Sequence, residues 1–354
     1  MHRSELEQLS INRRRWMALA GMSAGLVAGA PVAASGSTGA RPMSGDRRRP
    51  LKADTISVAA IQTRVQPTEP GLARKAIAEN LASVVEAIDR VQSDTGHKDL
   101  VTFSALALQG WVGGDAADLR AAAIDIDGPE VAAIASRARA YSSHVSFGAW
   151  VTDPDWPGQV IAMSILVGPD GTVMARDWTP YLPQSSLPDA GRHAATVERE
   201  FDRFVEMYGA DAVLPVHATT IGNLAQSPLN GAPEVYRAYA LKGAEVFVRT
   251  APLGFQTWDV QAAAAHNHCF AIVTMAAAPS SGDIAASHPW PRAGGTTVYG
   301  PHGEVMAEAG SKWEQAVVAT LPLGAYRAVH QRPELASRLF MPVYDALANE
   351  TSLV

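Results

Sequence analysis

Cysteine and charge are both scarce in this sequence. Cys269 is the only cysteine in 354 residues, so an intrachain disulfide is impossible and a zinc site built on cysteines is not expected. Charged residues make up 18% of the chain and the formal net charge is -6, which argues against nucleic acid or an anionic membrane as a partner. The 47% hydrophobic content is that of an ordinary globular protein with a substantial core.

The first 54 residues are predicted to lie outside the folded domain. Arg13 and Arg14 precede a weakly apolar segment rich in Gly and Ala, and Val32–Ala34 offers a small-residue cleavage site. This pattern predicts a twin-arginine signal peptide over residues 1–34, and therefore a periplasmic or secreted protein. An uncleaved membrane anchor is the alternative, but several glycines and a proline interrupt the short apolar segment. No cysteine lies near the cleavage region, which excludes a lipoprotein, and residues 35–54 read as a disordered linker.

The rest of the chain alternates apolar strand-like runs with helical periodicity. This alternation predicts an α/β fold whose sheets are covered by helices. The expected helices include 129–141, 201–208 and 258–266, and the expected strands include 55–62, 145–151, 160–167, 212–216, 269–275 and 315–321. Two hairpins with similar turns, GPDG at 168–171 and GPHG at 300–303, are expected between strands.

The most informative stretch runs from Ile221 to Ala251. It predicts a strand, a tight turn over Gln226–Ala232, a helix that begins at Pro233 and ends near Gly243, and a second buried strand. Enzymes often expose a nucleophile at such a strand-to-helix elbow. The elbow of this chain carries Gln226.

These segments resemble the nitrilase superfamily, the carbon–nitrogen hydrolases that include aliphatic amidases. The resemblance covers about residues 55–340 and predicts one domain over residues 55–345. It implies a four-layer α-β-β-α sandwich that assembles as a homodimer or larger, and it implies neither a metal nor a cofactor. It is carried by LVTFSALALQGW at 100–111, SILVGPDG at 164–171, IGNLA at 221–225, APEVYRAYALKGAEV at 232–246 and GGTTVYGPHGEVMAEAG at 294–310.

The resemblance implies a Glu, a Lys and a Cys as the catalytic triad of the family. The Cys attacks an amide or nitrile carbon, the Glu transfers the proton and the Lys stabilises the developing negative charge. In this chain the matching positions hold Ala105, Thr179 and Gln226. None of the three replacements can supply the same chemistry, and a further expected small polar residue is Ala162.

Other residues offer weaker candidates for chemistry. Ser227 could replace the missing nucleophile, but it needs a base and neither matched base position supplies one. Cys269 is expected to be a small buried strand residue. His266 and His268 precede it, but this spacing at a helix end rarely gathers metal ligands, so no metal is expected.

Two functions remain open. The first is an exported pseudoenzyme that has lost hydrolysis and binds a small amide- or nitrile-like ligand or a partner subunit. The second is a carbon–nitrogen hydrolase that uses atypical residues such as Ser227. The expected ligand-binding residues are Ala105, Trp111, Trp178, Thr179, Gln226 and Ser227. Trp178, like Trp290, is expected in a loop where a ligand could stack on it.

Overall fold

The computed structural model describes residues 48–66, 68, 71–105, 107–110, 112, 114–182, 190–229, 232–250, 258–277 and 294–351. The predicted signal peptide, Trp111 and Trp290 lie outside the described residues. Among the described residues, none of the helices combines the length and the apolar character needed to cross a bilayer.

The first sheet has the strand order β13-β1-β2-β4-β5-β6, and the short β3 pairs with β4. Strands β1, β2 and β4 run parallel, while β13, β5 and β6 join by antiparallel pairing. The bounds are β1 Ile56–Gln62, β2 Leu100–Thr102, β3 Ile124–Asp125, β4 His144–Thr152, β5 Ile161–Val167, β6 Val173–Trp178 and β13 Gln315–Leu321.

The second sheet has the order β12-β11-β10-β9-β8-β7, in which β8, β9 and β10 run parallel. Its strands are β7 His217–Thr219, β8 Gly222–Ser227, β9 Val246–Thr250, β10 Phe270–Thr274, β11 Thr297–Tyr299 and β12 Val305–Glu308. Both predicted hairpins are confirmed, and Gly171 and Gly303 take positive φ angles of 80° and 78° at equivalent places in their turns.

Eight α-helices lie in the described residues: α1 Ala73–Thr95, α2 Ala116–Ala122, α3 Pro129–Tyr141, α4 Phe201–Tyr208, α5 Pro233–Leu241, α6 Trp258–Asn267, α7 Leu323–Val329 and α8 Ser337–Thr351. Buried apolar faces of α1 and α3 pack on the first sheet, and those of α5 and α6 pack on the second. A third apolar cluster lies between the sheets, where Val58 and Leu166 of one sheet share a core with Leu224 and Val248 of the other. The predicted four-layer α-β-β-α arrangement is therefore confirmed.

Two predictions about β7 and β8 were wrong. The predicted strand over residues 212–216 is absent, and the strand β7 begins only at His217. Leu214 has a φ of 53° and Pro215 follows it, a backbone that cannot continue a strand. The other error concerns Gln226, which the sequence placed in the turn but which lies inside β8.

The end of the expected linker is ordered against the domain. The backbone N–H of Lys52 donates to the Thr220 carbonyl at 2.8 Å, and Arg48 lies 3.4 Å from the Glu245 carboxylate. The chain from residue 48 onward therefore contacts the folded unit.

Candidate functional site

The strand-to-helix elbow forms for the reasons that the sequence suggests. Pro233 occupies the first turn of α5, where its missing N–H costs nothing, and Gly243 takes a φ of 90° just after the helix. Gln226 is the penultimate residue of β8 and pairs with Val248 of β9. The elbow thus follows Gln226 by two residues instead of containing it.

The Gln226 side chain joins the two sheets. Its Oε1 accepts a hydrogen bond from the Ser146 hydroxyl at 2.8 Å, and its Nε2 donates to the Ser164 carbonyl at 3.1 Å. Ser146 lies on β4 and Ser164 on β5, both in the sheet opposite β8. Gln226 is only 3% exposed, so each of these bonds replaces a bond to water that burial removes.

Ala105 packs closely against the same strands. A Cβ built on Gly148 of β4 would lie 2.7 Å from the Ala105 Cα, 2.8 Å from its Cβ and 3.3 Å from the Thr250 hydroxyl. This close approach requires glycine at position 148. Gly148 pairs with Ser164, which Gln226 contacts, so Ala105 and Gln226 share one cluster.

Thr179 follows β6 and reaches the neighbouring part of β5. Its backbone N–H donates to the Ala162 carbonyl at 2.7 Å. Its hydroxyl is buried and has no hydrogen-bond partner among the described residues, and the same holds for the hydroxyl of Ser104. Ala162 and Ser164 point to the same face of β5, so Thr179 borders the cluster, but its hydroxyl makes no hydrogen bond to Gln226.

We use the name inter-sheet cluster for a group of neutral residues between the sheets: Gln226, Ser146, Ser164, Thr250 and Ala105. The Ser164 and Thr250 hydroxyls are 3.3 Å apart and connect the sheets a second time. The members offer hydroxyl and amide groups only. Such groups can donate and accept hydrogen bonds, but none is a base or an activated nucleophile.

Ser227 points the other way. Because side chains alternate along a strand, Ser227 shares a face with Ala225, which packs in the core under α5 and α6. Its hydroxyl accepts a hydrogen bond from the Leu229 N–H at 3.2 Å, and the hydroxyl of the nearby Tyr239 donates to the Gln226 carbonyl at 3.3 Å. Burial raises the pKa of Tyr239 well above its usual value, so this neighbour is a neutral phenol and not a base.

The predicted loop position of Trp178 is wrong. It is the last residue of β6 and is 6% exposed. Its ring packs at 4.7 Å from the Trp156 ring and at 5.4 Å from the Phe204 ring, both in edge-to-face geometry. Most of the Trp178 surface therefore packs in the core, and little of the ring is accessible to a ligand.

Cys269 is fully buried just before β10, as expected. Burial raises the pKa of its thiol to about 12, so the thiolate that would act as a nucleophile is absent at neutral pH. His266 and His268 flank the end of α6. Among the described residues, no group of three or more His, Cys, Asp or Glu side chains is arranged to hold a metal.

One charged pair beside the inter-sheet cluster has no signal in the sequence. Asp177 on β6 and His217 on β7 meet across the two sheets, with His217 Nε2 at 2.8 Å and 2.9 Å from the two carboxylate oxygens. Forty residues separate them, and neither lies in a recognisable motif. Only the placement of their two strands brings them together.

Comparison with known proteins found one matching family model and a set of similar solved structures. A family model described as carbon-nitrogen hydrolase matches residues 57–331. Similar solved structures include a double mutant of the amidase from Nesterenkonia sp. AN1 in complex with acrylamide, at 18% identity, a TM-score of 0.56 and coverage of 79% of this chain and 95% of that chain. A mutant of the same amidase in complex with butyramide is 18% identical, with a TM-score of 0.57 over 81% of this chain and 96% of that chain. A search of curated proteins found no match.

Proposed function

The chain belongs to the carbon–nitrogen hydrolase family of the nitrilase superfamily, and from this premise we propose that it is a non-hydrolytic member that binds a small ligand or a partner subunit. One observation carries the proposal. The side chain at the position matched to the family nucleophile uses both ends of its amide to join the two sheets.

The chemistry of the site supports this proposal. An amide nitrogen has no available lone pair for attack, and Gln226 is held by two hydrogen bonds that fix its orientation. Ala105 cannot accept a proton, and Thr179 is a neutral donor where the family stabilises charge with a cation. We infer that these three positions have been released from the hydrolytic reaction and now contribute to packing and binding.

The ligand we propose is small and neutral, of the amide or nitrile class. The Nesterenkonia amidase structures that resemble this chain hold acrylamide and butyramide. The buried hydroxyls of Thr179 and Ser104, which have no partner among the described residues, are suited to hydrogen-bond such a ligand. Trp111 remains a proposed contributor, but Ser227 does not, because its side chain faces the core under α5 and α6. Calorimetric titration with butyramide tests this, and unchanged affinity in a Thr179→Val variant would contradict the assigned role of Thr179.

Cellular location and assembly are also proposals. We propose export through the twin-arginine pathway, and export of an Arg13→Lys, Arg14→Lys variant at the normal level would contradict it. We propose a homodimer or larger assembly, and a monomer by light scattering at micromolar concentration would contradict that.

The decisive test is turnover by the purified protein. Acetamide, acrylamide, butyramide and the matching nitriles are incubated with it, and released ammonia is measured against buffer and against a Ser227→Ala control. We expect no release above buffer from either protein. Turnover by the unmodified protein that the Ser227→Ala change abolishes would overturn the proposal and make Ser227 the nucleophile.

A further inference from the structure

Asp177 and His217 lie on the edge strands of two different sheets. In strand order, β6 ends the first sheet and β7 ends the second. Both carboxylate oxygens of Asp177 lie within 2.9 Å of His217 Nε2, so one imidazole N–H is shared between them. The Asp177 side chain is 4% exposed and the His217 side chain is 22% exposed, so the pair lies at the border between core and solvent.

The pair is a direct neighbour of the inter-sheet cluster. Asp177 pairs with Ser164, whose carbonyl accepts the hydrogen bond from Gln226. His217 pairs with Leu224, which lies two residues before Gln226 on the same face of β8. Diagonal neighbours on a sheet are about 7–8 Å apart, which places His217 within one side-chain length of Gln226.

We propose that Asp177 and His217 form a pH-dependent clasp that holds the edge strands β6 and β7 together beside Gln226. The bonds that join the sheets at the inter-sheet cluster are between neutral groups, so pH does not alter them. The clasp differs because its strength depends on the charge of His217. This inference is independent of the proposed function, since it concerns the fold whether or not the protein hydrolyses anything.

Three influences act on the imidazole. Burial lowers the pKa of His217, and the ammonium of Lys242 at the end of α5 also lowers it, whereas the charge and the hydrogen bond of Asp177 raise it. The influence of Asp177 prevails, so the pKa of His217 lies above its ordinary value. Lys242 has the smallest of these effects, and the carbonyls of Asp211 and Val213 accept hydrogen bonds from its Nζ at 2.8 Å and 3.0 Å.

The direction of the pH effect follows from linkage. A histidine whose pKa is higher in the folded protein than in the unfolded chain binds protons more strongly when folded. Its contribution to stability is therefore complete below the unfolded pKa of about 6.5 and is lost as pH rises through the folded value. The interaction between Asp177 and His217 therefore stabilises the fold less as pH rises.

The test compares urea unfolding of the wild-type protein with that of a His217→Gln variant from acidic to alkaline pH. We expect the stability advantage of the wild type to be largest at low pH and to shrink as pH rises. A matched control is His97→Gln, because His97 also contacts a carboxylate, Asp99 at 3.1 Å, but its side chain is 48% exposed. That variant should keep the wild-type pH profile.

The proposal would be overturned if the difference in unfolding free energy between the wild type and His217→Gln does not change with pH. If the variant does not fold, the wild-type protein still decides the question by NMR titration of its imidazole signals. The His217 signal, assigned through its contacts to Leu224, should titrate above the ordinary value of about 6.5. A midpoint at or below that value would overturn the proposal.

Discussion

The two ends of strand β8 are both buried and polar, yet they are built from different chemistry. At its start, the N–H of Asn223 donates at 2.8 Å to the fully buried carboxylate of Glu245, which also binds Arg327 at 2.7 Å and 2.9 Å. At its end, Gln226 uses neutral hydrogen bonds alone. We call the first group the Glu245 cluster. The comparison shows that this chain keeps a buried charge where a bidentate arginine balances it.

The difference bears on function. Carbon–nitrogen hydrolysis as the family resemblance implies it needs ionisable groups at the end of β8, where the thiolate, the ammonium and the carboxylate would meet. The residues that the resemblance places at those positions, Ala105, Thr179 and Gln226, are all neutral. The charges at the start of β8 have a structural role instead. Arg327 binds Glu245 and also donates to the backbone carbonyl of Arg49 at 2.6 Å, so it joins the segment before β1 to the domain.

The largest expected effect comes from breaking the Glu245 cluster. Changing Glu245→Gln leaves the guanidinium of Arg327 without its buried counter-ion, and loss of one partner of a buried pair costs about 3–5 kcal/mol. Urea unfolding measures this. The control is Glu79→Gln, because Glu79 is an exposed partner of Lys75 at 3.9 Å and the change should stay within about 0.5 kcal/mol. Equal effects of the two changes would contradict the assigned role of Glu245.

A smaller loss is expected at the other end of the strand. Gln226→Ala removes the bond to the Ser164 carbonyl and leaves the Ser146 hydroxyl without its acceptor in the core, and an unsatisfied buried group costs about 1–3 kcal/mol. The same unfolding experiment applies. Gln159→Ala serves as the control, since Gln159 is only partly buried and bonds a carboxylate of Glu200 at 3.2 Å. A Gln226→Ala variant as stable as the wild type would show that the amide does not hold the sheets together.

Replacing Gln226 with Glu sharpens the comparison, because it places a charge where this chain has none. The carboxylate can accept from Ser146 but cannot donate to Ser164, and burial in the apolar layer raises the pKa of such a group. The stability contributed by the protonated carboxyl group is then present at low pH and is lost as pH rises through the pKa of that group in the folded protein. We expect the deficit of Gln226→Glu relative to the wild type to grow from about pH 4 to pH 7. A deficit that does not depend on pH would contradict the neutral character assigned to the cluster.

The residues themselves were sufficient to predict the hairpins and the elbow helix, because each has a local cause, whereas the four layers were implied by the family resemblance. Apolar periodicity defines α1 and α3, and Pro233 and Gly243 delimit α5. Gln226 was found through its place after Gly-Asn-Leu-Ala, but its partners were not. Ser146 and Ser164 are 80 and 62 residues away, and only the stacking of two sheets brings them to its amide.

The orientation of the Ser227 side chain also could not be predicted from its place in the sequence. Its position next to Gln226 suggested a shared site, whereas strand alternation turns it toward α5. Ser227→Ala should therefore leave the buried Leu229 N–H without its acceptor, which costs about 1–3 kcal/mol. Unfolding measurements give the size of the loss. A much larger loss, or a change in butyramide binding, would contradict this orientation.

The energetic coupling between Ser146 and Gln226 shows whether Gln226 links the two sheets. Unfolding free energies of the wild type, Ser146→Ala, Gln226→Ala and the double variant form a cycle that isolates the pairwise energy. We expect a favourable coupling of about 0.5 kcal/mol or more, because the two side chains form a hydrogen bond across the sheets at 2.8 Å. If the two losses are additive, with no coupling, Gln226 does not link β8 to β4 and its assigned role is wrong.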